Sequence, residues 1–281
     1  MYRTLVTAEQ LRQHQDDWCL LDCRYSLADT GYGRRVYGEG HIPGAFYLDL
    51  DRDLSSPIGP RDGRHPLPDA AKLNERLRRC GVAPGVQVVV YDDCGGAMAA
   101  RAWWLLRWLG HDVVAVLDGG YPAWLELGRT PECQAPRDRE SDWQAQPDRA
   151  ALVDVEAVEA NLKAPVFTLV DARSGERFRG EQEPIDPVAG HIPGSLNRPL
   201  ADNLEAGRFK SPAQLRREWL ALLGEHPPEA VVHLCGSGVT ACHNLLAMEH
   251  AGLGGARVYP GSWSEWIRDG RRPIATQIPD A

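Results

Sequence analysis

Parts of this chain are written twice, and that repetition limits its possible folds more than any other feature. Leu21-Asp22-Cys23-Arg24 returns as Val170-Asp171-Ala172-Arg173, and Gly40-His41-Ile42-Pro43-Gly44-Ala45 as Gly190-His191-Ile192-Pro193-Gly194-Ser195, at separations of 149 and 150 residues. Gly110 and Gly252 each lie nine residues before a second glycine, Gly119 and Gly261, and Trp124 and Trp266 follow those by five, now at a separation of 142. Ordered matches at nearly constant spacing imply two homologous domains, the second shortened by seven or eight residues. A polar, proline-flanked stretch from Pro131 to Pro147 separates them. The expected division is an N-terminal domain over 1–138 without a nucleophile, a linker over 139–148 and a catalytic C-terminal domain over 149–281.

Each copy alternates short β-rich runs with helical patterns, which predicts an α/β fold: a small, mainly parallel sheet with helices on both faces. The candidate strands are Cys19–Asp22, Val86–Tyr91, Val113–Leu117, Phe167–Asp171, Ala230–Leu234 and Arg257–Tyr259. Ser211-Pro212-Ala213-Gln214 supplies an N-cap, a first-turn proline and a capping-box residue for a helix, and Thr7 to Gln10 repeats that logic more weakly. In such folds ligands bind at the carboxyl edge of the sheet, in the loops after the strands.

The formal charge of −8 offers no basic patch for nucleic acid, and Arg34-Arg35 and Arg271-Arg272 are expected to be solvated turns. Met1 to Gln10 lacks the pattern of a signal peptide, and no apolar run approaches the roughly 20 residues that span a bilayer, so the expected location is cytoplasmic, away from membranes. Seven cysteines, without a C-x-x-C pair or a Cys/His zinc spacing, are expected to be free thiols. Most should be small buried hydrophobes, Cys242 and the five from Cys19 to Cys133 among them.

One thiol sits differently. Cys235-Gly236-Ser237-Gly238-Val239-Thr240 lies between a buried strand ending at Leu234 and a helix starting at Ala241. Two glycines let the backbone curl so that successive N–H groups point at the sulfur and add to the positive end of the helix. That field stabilises an anion, whether thiolate, the nucleophilic form, or persulfide.

Two repeats that each carry H-I-P-G, together with the loop C-G-S-G-V-T, resemble the tandem-domain rhodanese family, and the loop resembles its 3-mercaptopyruvate sulfurtransferase branch. The likeness spans nearly the whole chain. It implies that Cys235 carries sulfur as a persulfide, cradled by Gly236, Gly238, Val239 and Thr240, and that the N-terminal copy has lost its nucleophile. Subtracting 142 from 235 puts Asp93 opposite Cys235. The resemblance further implies a Ser-His-Asp relay of Ser237, His65 and Asp51, in which an imidazole oriented by a carboxylate passes a proton through a hydroxyl beside the reacting sulfur. Arg177 matches the arginine aimed at the donor's anionic group, and a guanidinium fork suits a carboxylate. A second arginine common in that branch is replaced by Ile185, with Arg179 as a candidate substitute.

The implied activity is transfer of sulfane sulfur from 3-mercaptopyruvate, a small-molecule donor, to cyanide or a thiol acceptor such as a small thiol or a thioredoxin-like protein, releasing pyruvate. No metal or organic cofactor is implied. The alternatives are thiosulfate:cyanide sulfurtransfer, a protein sulfur carrier, a silent binding pair of domains, and a cysteine phosphatase, which needs an arginine where this chain has Ala241. His41 and His191 belong to the repeated turns and are expected to be structural. Trp263 and Trp266 are either packing or substrate contacts.

Overall fold

Val88-Val89-Val90-Tyr91 and Val231-Val232-His233-Leu234 are buried at every position, as expected of interior parallel strands covered on both faces. A computed structural model, described here for residues 1–276, builds a parallel sheet around each of them.

The chain forms two compact units. The first comprises Met1–Ser56, Leu67–Asp148 and Ala206–Phe209. Its elements are β1 (Leu5–Val6), α1 (Ala8–His14), β2 (Cys19–Asp22), α2 (Tyr32–Glu39), β3 (Phe46–Tyr47), α3 (Ala70–Arg79), β4 (Val88–Tyr91), α4 (Ala99–Trp108), β5 (Val114–Leu117) and α5 (Gly120–Leu125). The sheet runs β1-β5-β4-β2-β3, every pair parallel. Val6, Leu11, Leu20, Ile42, Val89 and Trp124 form part of the core on one face.

The second unit comprises Pro57–Pro66, Arg149–Glu205 and Lys210 onward. After α6 (Val155–Asn161) come β6 (Thr168–Asp171), α7 (Gly175–Phe178), β7 (Leu196–Asn197), the short strand β8 (Leu204–Glu205) and, in a stretch that belongs to the first unit, β9 (Arg208–Phe209). Then follow α8 (Pro212–Leu223), β10 (Val231–Leu234), α9 (Ala241–His250), β11 (Arg257–Val258) and α10 (Ser262–Trp266). The sheet order is β11-β10-β6-β7, again parallel. A single parallel bridge, Leu152 to Val258, stands where the first unit has β1 beside β5.

The repeated motifs have a mechanical explanation. Asp22 and Arg24 form a buried ion pair, and Arg24 Nη2 donates to the carbonyl of Gly40 at 2.7 Å, which ties the strand end to the Gly-His-Ile-Pro-Gly turn. Asp171, Arg173 and Gly190 repeat the arrangement with the same 2.7 Å bond. His41 and His191 are buried, each stacked on an aromatic ring and bonded through Nδ1 to a carbonyl, of Tyr37 and Phe178 respectively.

The compact units differ from the expected boundaries in three places, one of them the stretch Ala206–Phe209, which groups with the first unit. Residues 57–66 belong to the second unit, because Arg64 N donates to Ser264 Oγ at 3.0 Å and Arg268 Nε to the Asp62 carbonyl at 3.1 Å. The expected linker over 139–148 packs on the first unit: Trp143 is buried edge-on to His111, and Arg139, Gln146 and Asp148 donate backbone N–H bonds to Arg79, Leu109 and Trp108. Burial of that indole and pairing of those amides overcome the polar composition. At the helix starts, Thr7 and Gln10 make the full reciprocal capping box, whereas Gln214 turns its side chain to Glu218 and Ser211 caps alone.

Candidate functional site

The site starts from β10. This strand lies between β6 and β11, and the chain leaves it at Cys235 and re-enters helix at Ala241. Cys235 is buried, and Gly238 N donates to its Sγ at 3.1 Å. Gly238 has φ +77°, and a Cβ there would strike the carbonyl of Pro260, so only glycine closes this curl. Val239 is buried behind it, and Thr240 occupies the helix cap without a side-chain capping bond.

The turn before α10 clamps the loop from the other side. Ser262 Oγ accepts from Cys235 N at 3.1 Å and donates to the Tyr259 carbonyl at 2.9 Å. Trp263 N and Ser264 N donate to the carbonyls of Cys235 and Gly236 at 3.0 and 2.9 Å. Ser262 itself sits at φ +55°, a strained conformation for a residue with a Cβ and one that persists where neighbouring structure enforces it. Trp263 and Trp266 are fully buried, with indole N–H bonds to Val188 and Pro273 carbonyls, so both are packing residues.

Ser237 and His65 meet in this unit: Oγ and Nδ1 are 2.7 Å apart, and both residues are buried. Asp51 lies in the first unit, where its Oδ2 accepts from the Tyr25 hydroxyl at 2.6 Å. Burial and then that carboxylate push the Tyr25 phenol up from its ordinary pKa.

Arg177 lies on the one-turn helix α7. Its Nε donates to both oxygens of Glu183 at 2.9 Å and its Nη2 to Asp186 Oδ2 at 3.2 Å. Burial alone would raise the pKa of Glu183, but hydrogen bonds from Arg177 and from the amides of Asp186 and Ile185 outweigh it and bring it below the usual value. Asp186 also receives Arg64, from Nε at 2.9 Å and Nη2 at 3.1 Å. Sequence reasoning missed Arg64, Glu183, Asp186 and Ser262; the only available hint was that Arg64 adjoins His65. Arg179 does not reinforce Arg177, because it forms an exposed pair with Glu181. Ile185 contributes an exposed apolar side chain.

The first unit corrects one expectation and supports the anion-cradle argument. Tyr91 pairs with Asp22 in register as Leu234 pairs with Asp171, so Asp92, and not Asp93, stands opposite Cys235. The Asp92 carboxylate accepts four backbone N–H bonds, from Cys94 and Gly96 at 3.0 and 2.9 Å and from Met98 and Ala99 at 2.8 and 2.9 Å. A loop of this design after a strand therefore holds an anion.

The other thiols are placed differently. Burial pushes those of Cys19, Cys23 and Cys80 up, Cys80 to about 12. Cys242 is buried in α9, while Cys94 and Cys133 lie at the surface instead of in the core.

The Rhodanese-like domain family matches residues 7–127 and again 154–269. The chain belongs to the rhodanese-like family. Both copies of the repeat are thus rhodanese-like domains, and among the described residues no helix is long and apolar enough to cross a membrane. The family member "Probable 3-mercaptopyruvate sulfurtransferase" of Pseudomonas aeruginosa is 52% identical over 277 residues, covering 97% of this chain and 98% of that protein. A "Putative thiosulfate sulfurtransferase" of Mycobacterium tuberculosis is 40% identical over 280 residues, covering 97% and 96%. Among solved structures, the 3-mercaptopyruvate sulfurtransferase from Leishmania major superimposes with a TM-score of 0.86 at 30% identity, covering 97% of this chain and 76% of that one.

Proposed function

We propose that this rhodanese-like chain is a sulfurtransferase that takes sulfane sulfur from 3-mercaptopyruvate on Cys235 and hands it to a thiol or to cyanide, releasing pyruvate. The Cys235 thiolate attacks the donor's sulfur, an S–S bond forms, and the C–S bond breaks with its electron pair going to carbon as the enolate of pyruvate. The proton leaving the donor's thiol passes through Ser237 and His65 to that carbon, so thiolate plus mercaptopyruvate becomes persulfide plus pyruvate with no net proton change. Asp51 is the carboxylate assigned to orient His65. The loop of Gly236, Gly238, Val239 and Thr240 holds the persulfide, and Arg177 takes the donor carboxylate. An acceptor thiol, small or borne by a thioredoxin-like protein, then removes the outer sulfur in the reducing cytoplasm.

The observation that carries this reading is the 2.7 Å contact of Ser237 Oγ and His65 Nδ1, two positions from Cys235. Thiosulfate transfer, which releases sulfite, needs no proton delivered to carbon, so a hydroxyl–imidazole pair beside the sulfur favours mercaptopyruvate. Thiosulfate remains the second reading because two guanidinium groups, of Arg64 and Arg177, flank the loop and the 40% identical relative bears that name. Steady-state kinetics with both donors and one thiol acceptor separate them. A higher kcat/KM for mercaptopyruvate, lost in Cys235→Ser, is expected; preference for thiosulfate would discard the relay, and wild-type turnover by Cys235→Ser would discard the nucleophile.

A further inference from the structure

Two guanidinium groups converge beside the nucleophile. A Cβ on Gly236, the residue after Cys235, would lie 2.6 Å from Arg64 Nη2 and 3.5 Å from Arg177 Nη2, with Asp186 Oδ2 at 3.6 Å. Gly236 is therefore the loop position that both arginines approach through Nη2, close enough to Arg64 to leave no room for a side chain. Each is braced from behind. Asp186, nearly inaccessible, takes Arg64 through Nε and Nη2 and Arg177 through Nη2, and Glu183 takes the Nε edge of Arg177. The Nη1 groups of both make no hydrogen bond to the described residues and remain for a ligand. A guanidinium fixed at one edge loses little freedom when it binds an anion at the other, which is what a selective anion clamp needs.

We propose that Arg64 is a donor-binding residue, which together with Arg177 grips the carboxylate of the sulfur donor beside Gly236. This rests on the mercaptopyruvate reading above and extends it. Arg64 adjoins His65 in the segment that packs on the catalytic unit, so one short stretch supplies both the proton-relay imidazole and half of the carboxylate clamp. Charge accounting adds a selectivity argument. Arg64, Arg177 and Arg173 face Asp186, Glu183 and Asp171, so with Cys235 as thiolate the cluster carries one net negative charge before the donor arrives, which disfavours a dianion more than a monoanionic carboxylate.

The test is the kinetics of Arg64→Gln and Arg64→Lys with 3-mercaptopyruvate, alongside product inhibition by pyruvate. Asp186 keeps Arg177 in these variants, so it is not left without a cation; a thermal melt checks that each variant is folded. Arg64→Gln should raise KM for the donor, and the inhibition constant of pyruvate, about 10- to 100-fold while kcat stays within about threefold. Arg64→Lys should recover part of the loss, since it restores the charge without the fork. Both constants staying within twofold of wild type, or a fall in kcat alone, would overturn the assignment. The wild-type enzyme in the same series tests the underlying reading separately: if it releases no pyruvate, the mercaptopyruvate reading fails and the clamp with it.

Discussion

Replacing Ser237 by Ala removes one oxygen from a buried pair, and the structure allows its effects to be separated. In the ground state His65 Nδ1 loses its 2.7 Å partner in a site closed to solvent, a loss of about 1–3 kcal/mol in stability. In the reaction, the variant loses the hydroxyl through which the proton passes, and general acid–base catalysis of this kind contributes about 10²- to 10⁴-fold. Turnover of mercaptopyruvate, followed by pyruvate release, should fall by that factor. Turnover of thiosulfate, followed by sulfite release, should fall by less than about threefold, because Cys235 and its cradle are untouched. A cycle with His65→Ala sharpens the result. If the two residues act as one relay, the double variant is about as slow as either single one, whereas independent roles would multiply. An equal loss with both donors, or multiplicative losses in the cycle, would refute the relay.

Three further outcomes follow. Asp92→Ala strands four backbone N–H groups in the first unit and should lower that unit's stability by about 3 kcal/mol or more in chemical denaturation; a loss under 1 kcal/mol would mean that water replaces the carboxylate. His233 is fully buried, and burial lowers its pKa to about 3 from an ordinary 6.5, so between those values the unfolded chain binds a proton that the folded chain does not. Stability contributed by keeping this ring neutral is therefore complete above pH 6.5 and declines toward acid, by about 2 kcal/mol at pH 5; His233→Leu should flatten that part of the pH–stability curve, and an unchanged slope would contradict the sign. Cys242→Ala should keep at least a third of wild-type turnover because the thiol lies inside α9, bonded to the Gly238 carbonyl at 3.4 Å; inactivity in a folded variant would make it a participant.

How far the sequence could be read depended on whether the information was local. All six proposed strands occur, with ends shifted by no more than two residues, because all but the edge strand β11 are short apolar runs buried at every position. The two-residue strands β1, β3 and β7 are too short to show any alternation. The placement of Cys235 and Ser237 in a loop between a strand and a helix was legible because strand, glycine loop and helix are contiguous, and the repeat indicated two domains. Asp92 was misplaced by one residue because a constant offset of 142 ignores the pairing of Tyr91 with Asp22. Arg64 was invisible for a different reason. Its role arises only when residues 57–66 pack with the second unit and meet Asp186, 122 positions away. The expected linker stretch packs on the first unit because Trp143, its one large apolar residue, has a buried site to fill.

The central claim is that Cys235 is the sulfur carrier and mercaptopyruvate its donor. The most direct test is a single turnover with 3-mercaptopyruvate and no acceptor, followed by peptide mass analysis and pyruvate measurement. The account predicts one added sulfur atom on the peptide containing Cys235 and one equivalent of pyruvate, with none on those of Cys94 or Cys133. Sulfur on another cysteine, or pyruvate absent while Cys235 stays unmodified, would contradict it.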